Sequence, residues 1–473
     1  MTSSSLVARS SEREVERRRQ VGHLLHSYWT SEGSDLSGLA PVLLDGRLDL
    51  LGLYVTFQDE NDDEAVGSNS SPSEKAVDRL HHEDLSYDQF SSKYMHPNIP
   101  VVIQGLTDDW KVASKWVCDS DGNEVPNLEY LRDRFGDDHV PVHEQLRNGF
   151  TATRPVQREM NVSEYADWWI DHHEHLQQED SHGDVSSGES DGSDQSLLYL
   201  KDWKFVASHS TYDAYEWPIL FRDDWLNQAM GSAYRFVYLG PKGTSTVLHA
   251  DVLRSFSWST NVCGRKRWYL VPPKYTYLLR DCFGMKLASH LHADTHDGMA
   301  VFFPGLKEAR RHAIEIRQEA GETIFVPSKW HHTVENLMDT LSINHNWLNR
   351  ANIKYSWDYL KSELNALQKG KVNGQQLSSE TVASNPNSKD SSQVGDDFIL
   401  LWHVLSKKIR NHLSEVSASG VNEHMVMDME AILLILSEMN CMLEDGSILG
   451  FVQRSDWNMP DLIASIRAFL FNK

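Results

Sequence analysis

The tetrapeptide Leu-His-Ala-Asp occurs twice in the chain, at Leu248–Asp251 and at Leu291–Asp294. Each copy sets an imidazole and a carboxylate two residues apart. On an extended strand such residues share a face, so either copy can present half of a metal site. With 23 histidines and 68 acidic residues, about one or two such triplets are expected by chance, and the surroundings must separate the copies. The first follows the turn G-P-K-G (Gly240–Gly243) and precedes S-F-S-W-S-T-N-V-C (Ser255–Cys263). There Phe256, Trp258, Thr260 and Val262 alternate with Ser255, Ser257, Ser259 and Asn261, a period-two strand pattern. The second copy lies in S-H-L-H-A-D-T-H-D-G (Ser289–Gly298), among His290, His292 and His296 and without strand periodicity. It reads as an exposed loop with no function of its own, although three close histidines can pick up zinc.

A third ligand is offered by G-E-T-I-F-V-P-S-K-W-H-H (Gly321–His332), at the end of an apolar strand. Neighbours on a strand point to opposite sides, so only one of His331 and His332 should face the metal. Two histidines and a carboxylate on one side of a metal leave positions open, the arrangement suited to non-haem Fe(II) and oxygen. Taken alone, the same residues fit a pair of structural histidines equally well. The hairpin C-G-R-K-R-W-Y-L-V-P-P (Cys263–Pro273) puts Lys266 at the start of a strand antiparallel to Ser255–Cys263. An ammonium there can neutralise a co-substrate carboxylate, with the Thr246 hydroxyl adding a hydrogen bond, or it is an ordinary surface lysine.

These residues need a scaffold, and short strand candidates spaced by Gly/Pro turns supply one within 197–372. They are Leu197–Leu200, Tyr234–Leu239, Ser255–Cys263, Arg267–Val271, Ala300–Phe303, Ala313–Arg317, Thr323–Val326 and Leu341–Asn346. The rhythm predicts a sandwich, jelly roll or barrel. Residues 76–176 mix strand-like runs (Ile99–Gln104) with helical ones (Asn161–His175) and read as a bracing platform. Residues 1–58 read as a helical extension. Residues 397–473, with apolar residues at helical spacing in Phe398–Leu413, Met425–Met439 and Asp461–Leu470, read as a helical appendage. Three segments rich in Ser, Asp, Asn and Gly separate these pieces: an acidic linker at 59–75, an acidic insert at 177–196 and a linker at 373–396.

The net charge of −23 draws twelve charges from Asp59–Glu74 and Glu179–Asp194, six acids each with no base. That balance argues against direct nucleic-acid binding, which depends on Lys and Arg. Four cysteines without C-x-x-C spacing exclude a zinc-finger cluster built from them and fit a reducing compartment. There is no apolar run of spanning length, so a soluble protein of the cytoplasm, or alternatively the nucleus, is expected with no membrane partner.

Together H-A-D, G-R-K-R-W, L-V-P-P and V-P-S-K-W-H-H resemble the JmjC family of Fe(II)- and 2-oxoglutarate-dependent oxygenases. Y-R-F-V-Y-L-G-P-K-G (Tyr234–Gly243), L-L-Y-L-K-D-W (Leu197–Trp203) and S-I-N-H-N-W (Ser342–Trp347) extend the resemblance, which covers about residues 85–370. It implies an α+β protein with a double-stranded β-helix core of the jelly-roll, cupin-like kind, flanked by helices. It implies His249, Asp251 and His331 as iron ligands, the ligand histidine directly following the tryptophan. It implies Lys266 on the far carboxylate of 2-oxoglutarate, with Thr246, Tyr199 and Asn346 as further contacts; Ser257 stands where some relatives have asparagine. The implied chemistry consumes 2-oxoglutarate and O2, with ascorbate as reductant in vitro, to hydroxylate a C–H bond. The implied substrate is a lysine, hydroxylated at C4, of the eukaryotic translation termination factor. The negative balance suits a basic peptide, and Trp258, Trp268 and Trp347 are candidates to wall an aliphatic stem. The alternatives are N-methyl-lysine demethylation of a histone tail and a non-catalytic scaffold. The oligomeric state is left open.

Overall fold

Period-two alternation folds the middle of the chain into two facing sheets. The computed structural model describes residues 77–120, 122–145, 156–181, 196–284, 286–295, 299–372, 391–444 and 458–471. The helical extension expected at 1–58, the linker at 59–75, most of the acidic insert and His296 lie outside the described residues. Strands in the first half are β1 (Arg79–His81), β2 (Val101–Gln104), β3 (Val117–Ser120), β4 (Asn123–Pro126), β5 (His139–Gln145), β6 (Val156–Asn161) and β7 (Leu197–Trp203). Then come β8 (Arg235–Gly240), β9 (Ser245–His249), β10 (Phe256–Cys263), β11 (Lys266–Val271), β12 (Ile314–Gln318), β13 (Thr323–Val326), β14 (His331–Asn336) and β15 (Thr340–Trp347). The larger sheet runs β1-β2-β13-β10-β15-β8-β7-β5-β6 and the smaller β12-β11-β14-β9, while β3 and β4 form a separate hairpin. From β9 to β15 the chain passes repeatedly from one sheet to the other, which produces the jelly roll.

Alternation decides what each face meets. Phe256 and Trp258 of β10, Phe325 of β13, Ile343 and Trp347 of β15 and Val237 and Leu239 of β8 point outward. They enter one large core with Phe90, Trp110, Trp116 and Phe221 of the N-terminal platform. Each such fully buried side chain contributes about 1.5–3 kcal/mol. Residues of the opposite parity face the smaller sheet. At one end Val102, Ile324 and Val326 meet Trp268, Leu270, Ile316, Trp330 and Val334 in a dry cluster; at the other end the interior is polar.

Helices close the ends. α1 (Val162–Ser181) continues five residues into the segment read as the acidic insert. α2 (Trp225–Met230) is capped by Asp224. α3 (Ile353–Val372), α4 (Ser391–Ser419), α5 (Glu423–Glu444) and α6 (Met459–Phe471) form the C-terminal bundle. Residues 391–396, expected in a linker, are the first turns of α4. Trp225, Leu253 and Leu348 of the sheet unit share one core with Trp357, Phe398, Leu401, Ile432 and Ile466, so the bundle is packed on the sheets. One strand expectation fails: Ala300–Phe303 overlaps a helical turn, Met299–Phe302. Its Phe302 and Phe303 join the apolar cluster outside the smaller sheet, so burial rather than β pairing made the run apolar. β9 and β14 were not among the expected strands, because Ser, Thr and His dilute their alternation.

Candidate metal centre

β9 and β14 pair antiparallel, with His249 directly opposite His332 and their ring centroids 4.3 Å apart. Asp251 follows immediately before a tight turn, Val252–Arg254, whose Leu253 and Arg254 take φ of 51° and 54°. Left-handed conformations at non-glycine residues cost on the order of 1 kcal/mol or more each, and here they reverse the chain so that Asp251 points back beside the histidines. One donor atom from each of His249, Asp251 and His332 lies within 4.8 Å of the others.

The atoms around the trio fit a divalent transition metal. His249 Nδ1 lies 2.8 Å from the Val247 carbonyl oxygen, and His332 Nδ1 lies 3.1 Å from that of Trp330. A ring nitrogen against a carbonyl must be the protonated one, so both rings keep an Nε2 lone pair for a metal. Ser257 Oγ donates to Asp251 Oδ2 at 2.7 Å, fixing one carboxylate oxygen and leaving the other. Burial, then the neighbouring His332, hold His249 down to about 3, so it is neutral and able to ligate at neutral pH.

His331, expected as the third ligand, is not part of this group. It opens β14 opposite Val271, and strand alternation turns it to the outer side, where its Nδ1 lies 3.4 Å from Thr276 Oγ1. Burial, then Arg254, hold it down to about 3 as well. His332, Val334 and Asn336 face inward, as the packing of Val334 with Trp268 and Ile324 requires. Cross-strand register with His249, not adjacency to Trp330, selects the histidine.

The second Leu-His-Ala-Asp copy is more than an exposed loop. Leu291 and Ala293 are buried in the cluster that also holds Leu248 of the first copy. Arg310 donates to both oxygens of Asp294, at 2.5 and 3.0 Å. The Ser289 carbonyl accepts from the Leu248 amide at 2.6 Å. Among the described residues of this stretch, only His292 and Thr295 stand exposed.

Beside the trio, a cavity of about 970 Å³ is lined by all four expected co-substrate contacts, Lys266, Thr246, Tyr199 and Asn346. Lys266 is 2% exposed and donates to Ser342 Oγ at 2.7 Å. Among the described residues it has no carboxylate partner, and burial, then the Lys201 charge, bring its ammonium down to about 7. A buried cation without a counter-charge calls for an anion from outside. Tyr199 is buried and lines the cavity beside Thr246. Gly240 makes room for its ring: a Cβ there would lie 2.5 Å from Tyr199 Cδ2. Asn346 donates to Ser255 Oγ at 3.2 Å. Of the three tryptophans considered for a stem pocket, Trp268 lines the cavity, whereas Trp258 and Trp347 belong to the outer core. Lys201 and Tyr238 also line the cavity and were missed. Lys201 stands two residues beyond Tyr199, which was the signal for it.

Comparison with known proteins matches residues 87–353 to the cupin-like domain family. Arginine-specific demethylase JMJ20 of Arabidopsis thaliana is 40% identical over 303 residues, 60% of this chain and 60% of that protein. The 2-oxoglutarate and iron-dependent oxygenase JMJD4 of Danio rerio is 40% identical over 291 residues, 60% of this chain and 64% of that protein. The protein of the same name from Homo sapiens is 33% identical over 377 residues, 78% and 79% of the two chains. The chain therefore spans somewhat under two thirds of the length of the first two relatives.

Proposed function

Because the chain belongs to the cupin-like JmjC family, among relatives of the JMJD4 oxygenases, we propose that it is an Fe(II)- and 2-oxoglutarate-dependent protein oxygenase. In this reading His249, Asp251 and His332 hold the iron through two Nε2 atoms and one carboxylate oxygen. The observation that carries it is the trio opening onto the same cavity as the buried, uncompensated Lys266. When bound, iron with 2-oxoglutarate and O2 supplies the oxidising power for C–H hydroxylation, with succinate and CO2 as co-products. The chain's own groups position the partners. Lys266 neutralises the far carboxylate, Thr246 and Tyr199 offer hydroxyls beside it, and Asn346 lines the same wall. The rings of Tyr199, Tyr238 and Trp268 exclude water from that end. No side chain is required as a general base.

For the substrate we take a basic side chain of a protein, a lysine hydroxylated at C4 in the eukaryotic translation termination factor, which places the protein in the cytoplasm. Supporting this, the acidic chain offers Glu159 at the exposed rim and Asp202 farther in. A second reading, demethylation of methyl-arginine, is favoured by the name of the 40%-identical plant relative. Mass spectrometry after incubation with Fe(II), ascorbate, O2 and 2-oxoglutarate separates them, with Asp251→Ala as the blank. A gain of one oxygen on a lysine of the termination factor is the expected result. Formaldehyde from methyl-arginine peptides supports the second reading, and formaldehyde from methyl-lysine histone peptides a histone demethylase. Iron binding without turnover on any of these would leave a scaffold.

A further inference from the structure

Of the cavity lysines, Lys201 and the exposed Lys204 have no task in the proposed reaction, and Lys201 is the less exposed of the two. It sits at a bulge in β7: Leu200 pairs with Leu239 and Trp203 with Val237, so three steps on β7 oppose two on β8. The extra residue puts both Lys201 and Asp202 on the cavity side, with Asp202 at φ 61°. Bulges of this kind re-aim side chains beside active sites. Tyr238 Oη donates to Asp202 Oδ1 at 2.7 Å and holds that carboxylate. Among the described residues Lys201 makes no ion pair. Its ammonium stands 5.6 Å from the centre of the Tyr199 ring and 6.0 Å from that of Tyr238, and the Lys266 ammonium stands 6.0 Å from the same Tyr238 ring. Lys201, Lys266 and all three members of the metal trio line the same cavity. Two ammonium groups on one cavity wall, each 6.0 Å from the Tyr238 ring and neither in an ion pair among the described residues, match a ligand with two carboxylates. The Ser257 hydroxyl already donates to Asp251.

We propose that Lys201 is a second cationic contact for the co-substrate, holding the carboxylate nearer the metal while Lys266 holds the far one. The inference rests on the 2-oxoglutarate reading and assigns Lys201 a positioning role within it. Calorimetric titration of the full chain loaded with redox-silent Mn(II) tests it without turnover. The probes are 2-oxoglutarate and 4-oxopentanoate, which keeps the far carboxylate and replaces the near one by a methyl group. Lys201→Met is expected to weaken 2-oxoglutarate binding at least tenfold and leave 4-oxopentanoate unchanged, with Lys201→Arg restoring most of the loss. Lys266→Met is expected to weaken both. Equal 2-oxoglutarate affinity in wild type and Lys201→Met overturns the inference and leaves the oxygenase reading standing. An equal loss for both probes also overturns it, since Lys201 then acts through the fold or through Lys266. A wild-type protein that takes up Mn(II) but no 2-oxoglutarate overturns the oxygenase reading and the inference together.

Discussion

The two Leu-His-Ala-Asp copies lie back to back, and identical residues do opposite work. In the first, a strand and a left-handed turn aim His249 and Asp251 at His332, and the free donor atoms converge. In the second, a 3-10 turn (Ala293–Thr295) buries the alanine, exposes the histidine and spends the carboxylate on Arg310. Leu248 and Leu291 meet in one apolar cluster, so the second copy braces the strand that carries the first. A motif acquires chemistry from the backbone that presents it and from whether its polar atoms are already satisfied.

The largest effects should fall on the first copy and its cross-strand partner. Asp251→Ala and His332→Ala are each expected to lower Fe(II) affinity by well over the roughly 10–100-fold that loss of an outer-sphere partner costs, and to abolish turnover. Metal-binding calorimetry with Mn(II) reads the first effect and succinate formation the second. Removing the metal with a chelator should reproduce the loss of turnover in wild type. Metal affinity that survives His332→Ala would break the assignment.

Next comes Lys266. Its folded value, about 7 against an ordinary 10.5, is a depressed one. The stability it contributes is therefore present above pH 10.5 and lost as pH falls towards 7, a difference of about 5 kcal/mol if the burial cost is fully expressed. Lys266→Met removes that dependence, so the variant's melting temperature should exceed that of the metal- and co-substrate-free wild type by most near pH 7 and below, and by least near pH 10. The same substitution should cost on the order of a hundredfold in 2-oxoglutarate affinity, the worth of a charged hydrogen bond. In wild type the neutral amine must take up a proton to hold the carboxylate, so affinity should fall by roughly tenfold per pH unit above 7. A flat profile from pH 7 to 9 would show that the ammonium is not the contact.

The bracing role predicts a smaller, purely structural effect. Asp294→Ala leaves Arg310, only partly exposed, without its carboxylate, and should destabilise the fold by about 1–3 kcal/mol in denaturant unfolding. Metal affinity should stay within about twofold of wild type. A parallel loss of iron binding would show that the second copy shapes the site rather than supporting it.

Much of this was legible from residue types and spacing because the interior of a jelly roll obeys a strict period. Phe256 and Trp258 against Ser257 and Ser259 fixed β10 and its two faces, and the turn after Cys263 placed Lys266 at the start of the next strand; the expected hairpin does not form, because β11 crosses to the smaller sheet and pairs with β12 and β14 instead of β10. Hidden were features set by pairing rather than by composition. β9 and β14 carry polar residues on their inner faces because they build the site, which erases the alternation that marks other strands. The bulge that brings Asp202 inward depends on β8 as much as on β7. The fate of the second copy was set by Arg310, sixteen residues away, which no local pattern announces.

The adjacent histidines of W-H-H repeat the lesson at single-residue scale. Parity along β14 is fixed by Val334, which must enter the dry cluster with Trp268 and Ile324, and His332 shares its face. His331 is 5% exposed on the other face, near Thr276, and stays neutral there. His331→Ala should therefore keep Mn(II) affinity within about threefold and cost about 1 kcal/mol of stability through lost packing. The neighbouring His332→Ala should lose the metal with little further change in unfolding of the metal-free protein. Reversal of that pair of results would require β14 to slip by one residue, which would drive Val334 out of the interior and turn Thr333 into it.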